Sequence, residues 1–319
     1  MTEYNNLTDK ISKQRLLSIA LPCLLGWIFS YLAINVFKDY GFGLFIWLPL
    51  ILGSTLILTY KNLVSRKQLR NNAYLVLLIF CLGLLVFAWE GVICLIMAAP
   101  IGFVFTYCGF LIGFHFSKSN LKGQTPTAII LLILSSPSFM AFEYTIKETD
   151  DLRSVVTTIE INATPDKVWK NVVSFPQLKE PTEFIFKTGI AYPINATIQG
   201  KGIGGVRHCN FSTGSFVEPI TVWDEPRLLK FSVDEQPEPM KEISLYDIHP
   251  NHLHGYWVSK QGQFKLTALP NGHTLLEGTT WYVNKIKPDF YWTLWSDNIV
   301  HKIHNRVLEH IKTQAELWQ

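Results

Sequence analysis

The stretch "RSVVTTIEINATPDKVWKNVVSF" (153–175) decides the fold of the C-terminal half of this 319-residue chain. Its first part alternates and is rich in β-branched residues, which predicts a strand over 153–162. Thr164 then suits a helix N-cap and Pro165 suits the first helical position. The sequence therefore predicts a strand that leads directly into a short amphipathic helix, whose apolar stripe consists of Val168, Trp169, Val172 and Val173.

Further strand-like stretches follow, separated by Gly, Pro or Asp, at about 190–199, 205–213, 215–223, 228–234, 253–269 and 274–284. After Pro288, the segment "WTLWSDNIVHKIHNRVLEHIK" (292–312) has the periodicity of one long amphipathic helix. This order predicts an α+β domain over 152–319, in which a curved antiparallel sheet wraps around a long C-terminal helix. Such a sheet leaves a space against the helix.

Residues 1–146 have a different composition, with long uncharged runs at 16–37, 41–60, 71–89, 91–116 and 123–142. A helix needs about 20 apolar residues to cross a bilayer. The sequence therefore predicts an α-helical membrane domain over 1–146 with about five spans. Glu90 divides the third run from the fourth, and we expect it to lie in the turn between them.

Lysine and arginine residues cluster in alternate loops of this predicted membrane domain. By the positive-inside rule, this alternation places the N-terminus in the cytoplasm. With an odd number of spans, the C-terminal domain is then expected on the periplasmic side of the cytoplasmic membrane. The basic residues on the predicted inner side are Lys10, Lys13, Arg15, Lys61, Arg66, Lys67, Arg70, Lys118 and Lys122.

Composition argues against several other classes of protein. The formal charge is only +3, and the C-terminal half has no basic stripe, so we expect no nucleic-acid partner. Cys209 is the only cysteine of that half, which excludes an intradomain disulfide there. The run "GKGIGG" (200–205) lacks the strand–loop–helix context of a phosphate-binding loop. The sequence thus predicts no cofactor.

The opening "VVTTIEINATPDKVWKNVVSF" and the amphipathic terminal helix resemble the START-like, helix-grip superfamily, also called SRPBCC, which includes polyketide cyclase/dehydrase and lipid-transfer-type domains. More narrowly, "EGVICLIMAAP" (90–100), "RHCNFSTGSFVEPITVWDEPRLLKFSV" (207–233), "GQFKL" (262–266), and "LEGTTWYVNKI" to "VLEHIK" (276–312) resemble a bacterial subgroup joined to a membrane segment. The resemblance implies a cavity-forming fold. It does not imply one function, because members bind lipids, sterols, polyketides or plant hormones and only some are enzymes.

The terminal helix carries the first candidate site. Asp297 and His301 are four residues apart, so an Asp–His hydrogen bond or ion pair on the helix surface is expected. We interpret this edge first as the wall of a pocket, second as an acid/base pair that moves protons, and last as a metal site. A metal would need a third ligand from the sheet, for which His208, Cys209 and Glu218 are the candidates, and no metal-binding spacing motif is present. We therefore predict no metal.

The second candidate site is "RHCNFSTGSFVEP" (207–219). Strand alternation places Arg207 and His208 on opposite faces, and the sequence leaves open which face points inward. An inward Arg207 would bind the carboxylate or phosphate head of a ligand and be balanced by Glu218 when the site is empty, whereas an outward one would form a cross-strand pair with Glu218. The predicted ligand-binding residues are Arg207, His208, Glu218, Trp281, Trp292, Trp295, Ile299 and His304.

Together these features predict a membrane-anchored domain that binds a lipid or another hydrophobic small molecule, with transfer or sensing as its purpose. The alternative is a cyclase or dehydratase for a polyketide- or isoprenoid-like substrate, in which Asp297 and His301 would be catalytic. A third possibility is an interaction module whose interior is filled by its own side chains. The long segment 234–252 is expected to be a lid over the cavity.

Overall fold

The computed structural model describes residues 2–59, 65–118, 125–145 and 151–317. The chain forms two compact units. Unit 1 comprises Met1–Glu148, Glu242–Asn251 and Ile286–Pro288, and unit 2 comprises Thr149–Lys241, His252–Lys285 and Asp289–Gln319. The basic residues Lys61 and Lys122, on which the predicted orientation partly depends, lie outside the described residues.

Unit 1 is helical, and each of its five apolar runs carries a helix. Three helical segments of the described residues are long and apolar enough to cross a membrane: Arg15–Phe37, Arg66–Val86 and Val92–Ser117, with Gly43–Thr55 shorter. This supports membrane association, while five spans and their orientation stay predictions. The helices are α1 (Thr2–Tyr31, continued by π-helical Leu32–Phe37), α2 (Leu48–Thr59, preceded by π-helical Gly43–Trp47), α3 (Arg66–Val86), α4 (Val92–Lys118) and α5 (Thr125–Thr145).

Two glycines let α2 and α4 approach closely. A Cβ atom on Gly53 would lie 2.1 Å from the Thr106 carbonyl oxygen, and one on Gly109 would lie 2.1 Å from the Leu50 carbonyl oxygen. Neither backbone oxygen can move away without shifting its helix. Small residues at such crossings are the usual means by which apolar helices pack against each other.

We therefore expect Gly109→Ala to separate α2 from α4 and to destabilise unit 1 by about 1–3 kcal/mol, the range of an overpacked core. Gly102→Ala on the same helix is the matched control, because its Cβ would have no neighbour closer than 3.9 Å. Thermal unfolding of the purified protein in detergent measures both. Equal midpoints for the two variants would contradict this account of the crossing.

Carboxylates stabilise two positions next to α4. Glu90 lies in the turn between α3 and α4, as predicted, but it is buried and accepts a hydrogen bond of 3.0 Å from the Tyr40 hydroxyl. The Glu242 carboxylate accepts from the backbone N–H groups of Ile93 (3.1 Å) and Cys94 (3.2 Å), in the first turn of α4. Segment 242–251 is thus part of unit 1, so the prediction that all of 234–252 is a lid is wrong for that segment.

Unit 2 is built on one seven-stranded antiparallel sheet of order β1-β7-β6-β5-β4-β3-β2, which confirms the predicted helix-grip-like α+β fold. The short helices α6 and α7 follow β1, and the long helix α8 closes the chain. The elements are β1 (Arg153–Ile161), α6 (Pro165–Val173), α7 (Phe184–Lys187), β2 (Pro193–Gln199), β3 (Val206–Phe211), β4 (Gly214–Asp224), β5 (Leu228–Ser232), β6 (Trp257–Ala268), β7 (Thr274–Asn284) and α8 (Asp289–Glu316).

The C-terminal half of α8 forms the core with the sheet. Leu308 and Ile311 are buried in the same apolar cluster as Ile161 at the end of β1 and Leu276 on β7. A Cβ on Gly278 would meet Leu308 at 3.6 Å, so helix and strand already touch there. This end of unit 2 is filled by its own side chains. The same cluster includes Phe175, Cys209 and Phe231, and three further rings pack against it: Phe211, Phe216 and Phe264.

Candidate functional site

The register between β3 and β4 settles which way Arg207 points. Arg207 pairs with Glu218 and Cys209 pairs with Phe216, so all four side chains share one face of the two strands. Arg207 is only 2% exposed and Glu218 only 6%, and Arg207 Nη1 donates to Glu218 Oε2. The pair therefore lies on the inner face, and the alternative of an outer cross-strand pair is wrong.

Three phenylalanine rings surround the guanidinium group. Its Cζ lies 5.4 Å from the ring centroid of Phe231, 5.6 Å from Phe175 and 5.7 Å from Phe264. Phe175 is positioned by a backbone bridge between the end of α6 and Ala196 on β2. Cations within about 6 Å of aromatic rings are attracted to the negative ring faces. We call Arg207, Glu218 and these three rings the Arg207 site.

The Arg207 site holds an ion pair in an apolar interior. Burial raises the pKa of Glu218, and the attraction of Arg207 opposes this only in part. Burial also raises the pKa of the Cys209 thiol to about 12, although Arg207 lowers it, so the thiol stays protonated and is no nucleophile at neutral pH. Among the described residues, the buried Nε of Arg207 has no hydrogen-bond partner. An unpaired donor there costs free energy that a ligand atom can recover.

Some inner-face aromatics near the Arg207 site are not fully buried. Phe264 keeps accessible surface, and so do Phe211 and Phe216, whose rings meet edge to face at 4.8 Å. On α8, Ile299 and Ile303 are also partly exposed. The three rings pack against the core cluster that contains Leu308 and still keep part of their surface accessible. We call Phe211, Phe216 and Phe264 the aromatic rim.

One stripe of α8 lies next to the start of β2 and Phe175. Ile299 and Ile303 lie on the same helical stripe as Arg306 and His310. The Arg306 Nε donates to the carbonyl oxygen of Pro193 at the start of β2, at 3.1 Å. The His310 ring lies 5.9 Å from the ring of Phe175 in the Arg207 site. The stripe therefore runs along the β2 side of the sheet.

A second polar cluster fastens α8 to β1 and β7. The Asp297 carboxylate accepts from Arg153 Nε at 2.9 and 3.0 Å and from the Tyr282 hydroxyl at 2.7 Å. Burial raises the pKa of Asp297, but the hydrogen bonds from Arg153 and Tyr282 outweigh it and lower the pKa overall. Asp297 is thus an anionic anchor. Among the described residues it makes no hydrogen bond with His301, so the predicted Asp–His hydrogen bond is not formed.

The histidines of α8 instead bind threonine hydroxyls on the sheet. The Thr157 hydroxyl lies 2.8 Å from Nδ1 of His301 and 3.0 Å from Nδ1 of His304, and Thr280 lies 2.8 Å from His304 Nε2. One hydroxyl has one proton to donate, so at least one of the two imidazoles carries its proton on Nδ1. A chain of hydrogen bonds therefore leads from exposed His301 to an inner-face hydroxyl on β7. Burial, with a smaller effect of His301, lowers the pKa of His304 to about 4.

The other predicted site residues are dispersed. His208 alternates with Arg207 and faces away from α8, and Trp281 also faces away, with Lys230 Nζ 5.0 Å from its ring centroid. Trp292 is buried, while Trp295 is partly exposed. The structure therefore places Arg207 and Glu218 together, Asp297, His301 and His304 together, and His208 and Trp281 apart from both groups. Their roles as ligand-binding or catalytic residues stay predictions.

The ligand set considered for a metal is not assembled. The Asp297 carboxylate is occupied by Arg153 and Tyr282, and both imidazoles contact threonine hydroxyls. Sequence reasoning missed these partners because they are far away in the chain. Arg153 and Asp297 are 144 positions apart, and they meet because α8 packs against β1, whose Arg153 pairs with Tyr282 on β7.

Residues 153–286 match the family model described as "Polyketide cyclase / dehydrase and lipid transport". No curated protein matches the chain. Several solved structures resemble about half of it, and similarity at this level assigns neither a substrate nor an activity. They include a norcoclaurine synthase point mutant from Thalictrum flavum (12% identity, TM-score 0.35, 54% of this chain and 98% of that one), the Zhui aromatase/cyclase from Streptomyces sp. R1128 (14%, 0.35, 52% and 94%) and the protein XoxI from Bacillus cereus (16%, 0.33, 50% and 93%).

The match starts at the first residue of β1 and ends just after β7. It therefore covers the whole sheet of unit 2, including the Arg207 site and the aromatic rim, but not α8. On this evidence, residues 153–286 form a polyketide cyclase/dehydrase-type, SRPBCC-like domain.

Proposed function

We propose that unit 2 binds a hydrophobic or amphipathic small molecule between the inner face of its sheet and α8. We further propose that the helices of unit 1 keep this domain at a membrane, where apolar molecules are concentrated. The family of residues 153–286 supports the first part, since its description includes both cyclase chemistry and lipid transport. The three long apolar helices support the second.

One observation carries the proposal more than any other. The inner face combines a buried ion pair that has an unpaired donor with aromatic rings that keep accessible surface. An ordinary core would bury those rings completely and leave no donor unpaired. A small-molecule site, in contrast, is mostly apolar with a few placed polar groups. The aromatic rim would contact the apolar body of the ligand, and the Arg207 site would hold its polar end.

Phe216→Ala should therefore weaken binding of an apolar probe about 10-fold, because it removes an aromatic contact from the rim. The matched control is Phe184→Ala on α7, which removes a phenylalanine that is 81% exposed and should leave binding unchanged. Full-length protein in phospholipid nanodiscs, labelled with a diazirine-bearing fatty alcohol and mapped by mass spectrometry, measures both. Equal losses in the two variants, or labelling that does not map to unit 2, would overturn the proposal.

The second candidate function is a cyclase or dehydratase reaction. The observation that favours it is the chain of hydrogen bonds from His301 through Thr157 and His304 to Thr280, since such a chain can pass a proton between solvent and the inner face. In this reaction Asp297 and His301 would not act together as the sequence predicts. Asp297 holds the helix in place, and the proton-transfer role would fall to the histidines.

His301→Gln separates the two functions. His301 is exposed and glutamine retains a hydrogen bond to Thr157, so we expect a loss of unit 2 stability within about 0.5 kcal/mol. An enzyme would lose turnover, so extracts of cells that produce the variant would contain the uncyclised or hydrated precursor, which differs from the wild-type product in retention time or by one water. A binding protein would give identical extracts by liquid chromatography–mass spectrometry.

A further inference from the structure

The polar end of the proposed ligand can be specified further, and this step rests on the proposed function. The Arg207 site already contains one cation and one anion, both buried. Arg207 donates through Nη1 to Glu218. Among the described residues, the Nε–H of Arg207 has no hydrogen-bond acceptor, and an uncharged acceptor would be enough to satisfy it.

An anionic ligand does not suit this arrangement. It would add a third charge to a buried pair that is already balanced, and an uncompensated buried charge is costly. The surroundings make this worse, because the three rings near the guanidinium attract cations and repel anions with their negative faces. The Glu218 carboxylate, adjacent to Arg207, would repel an anion as well.

An uncharged oxygen suits the arrangement on each of these points. It satisfies the Nε–H, leaves the ion pair intact and adds no net charge to the apolar interior. We infer that the ligand of unit 2 is a neutral amphiphile whose hydroxyl or carbonyl oxygen accepts the hydrogen bond from Arg207 Nε, and that it is not a fatty acid anion or a phosphate ester. The sequence alone favoured a carboxylate or phosphate for an inward arginine. The buried counter-ion reverses that preference.

The test compares two probes that differ only at the polar end, a diazirine-bearing dodecan-1-ol and the corresponding dodecanoic acid. Both are presented to the full chain in phospholipid nanodiscs at about pH 9, where the acid is ionised. Labelling is normalised to the concentration of each probe in empty nanodiscs. We expect the alcohol to label the peptides around Arg207 at least about 10-fold more efficiently than the carboxylate, which corresponds to about 1.4 kcal/mol.

The outcomes distinguish this inference from the function on which it rests. If neither probe labels unit 2, the proposed function fails. If the carboxylate labels as well as the alcohol or better, binding stands and the inference of a neutral ligand is overturned. On the wild-type protein, lowering the pH below the pKa of the probe acid should raise its labelling to that of the alcohol, while alcohol labelling stays constant.

Glu218→Gln provides a reciprocal check. The substitution leaves the Arg207 charge unbalanced, so a carboxylate should now be preferred and the ratio of the two probes should reverse. Hydrogen exchange of β3 and β4 verifies that the variant is folded. A folded variant that keeps the wild-type preference would overturn the inference, and the pH series on the wild-type protein decides the question if the variant does not fold.

Discussion

Arg207→Met should destabilise unit 2 by about 3–5 kcal/mol, the usual effect of removing one partner of a buried ion pair. The reason is that Glu218, only 6% exposed, would lose its counter-ion in an apolar environment. Its pKa, which burial already raises, would rise further, so the variant would take up a proton in order to fold. The destabilisation should therefore decrease as the pH is lowered.

The double variant Arg207→Met/Glu218→Leu is the control for this prediction. It removes both charges and fills the space with apolar atoms, which is often neutral or stabilising relative to a buried ion pair. We expect hydrogen exchange in β3 and β4 to be fast in the single variant and near the wild-type rate in the double variant. We also expect the double variant not to label with the alcohol probe. We thus expect the Arg207–Glu218 pair to contribute to ligand binding more than to stability. A double variant as unstable as the single one would contradict this.

The second large effect concerns acidification. The pKa of His304 is about 4 in the folded protein and near 6.5 in an unfolded chain, because burial disfavours the imidazolium form. Between these values the unfolded state binds more protons than the folded state. The contribution of neutral His304 is thus fully present above about pH 6.5 and is lost as the pH falls toward 4. A difference of this size corresponds to roughly 3 kcal/mol.

His304→Gln isolates this contribution, since glutamine can both accept and donate toward Thr157 and Thr280 but does not titrate. The pKa of His310 is also lowered by burial, and that residue stays in the variant as part of the background. The measurement is hydrogen exchange of β1, β7 and α8 at several pH values, corrected for the intrinsic exchange rate. The wild-type protein should lose protection between pH 6.5 and 4 more steeply than the variant, and parallel curves would contradict the assignment.

The fold of unit 2 follows closely from sequence patterns. The alternation in 153–162 and the N-cap at Thr164 predict β1 and α6 almost to the residue, and Pro288 marks the start of α8. These signals are local, because each depends on neighbouring residues that share a face or a turn. The position of segment 242–251 cannot be predicted from the sequence for the same reason. Its association with unit 1 depends on Glu242 meeting the first turn of α4, which no local pattern reveals.

The sequence predicts which residues form the candidate sites better than it predicts which residues they bind. Arg207 and Glu218 were paired correctly, since they face each other across a tight hairpin, and alternation alone left only the choice of face. Asp297 was assigned to His301 on the basis of helical spacing. In the folded domain Arg153 and Tyr282 outcompete that histidine, because a guanidinium–carboxylate pair is stronger than a contact with an imidazole. Which partner Asp297 binds therefore depends on how α8 packs against β1 and β7, which are far away in the sequence.

The central claim is that unit 2 holds a small molecule between the inner face of its sheet and α8. An experimental structure of the full chain in lipid nanodiscs, purified without exchange of its bound small molecules, tests it most directly. The account predicts non-protein density that contacts Phe211 and Phe216 and ends within hydrogen-bond distance of Arg207 Nε. Side chains of α8 and the sheet interlocked through that region, with Arg207 Nε bonded to a protein atom, would contradict both the ligand proposal and the enzymatic alternative.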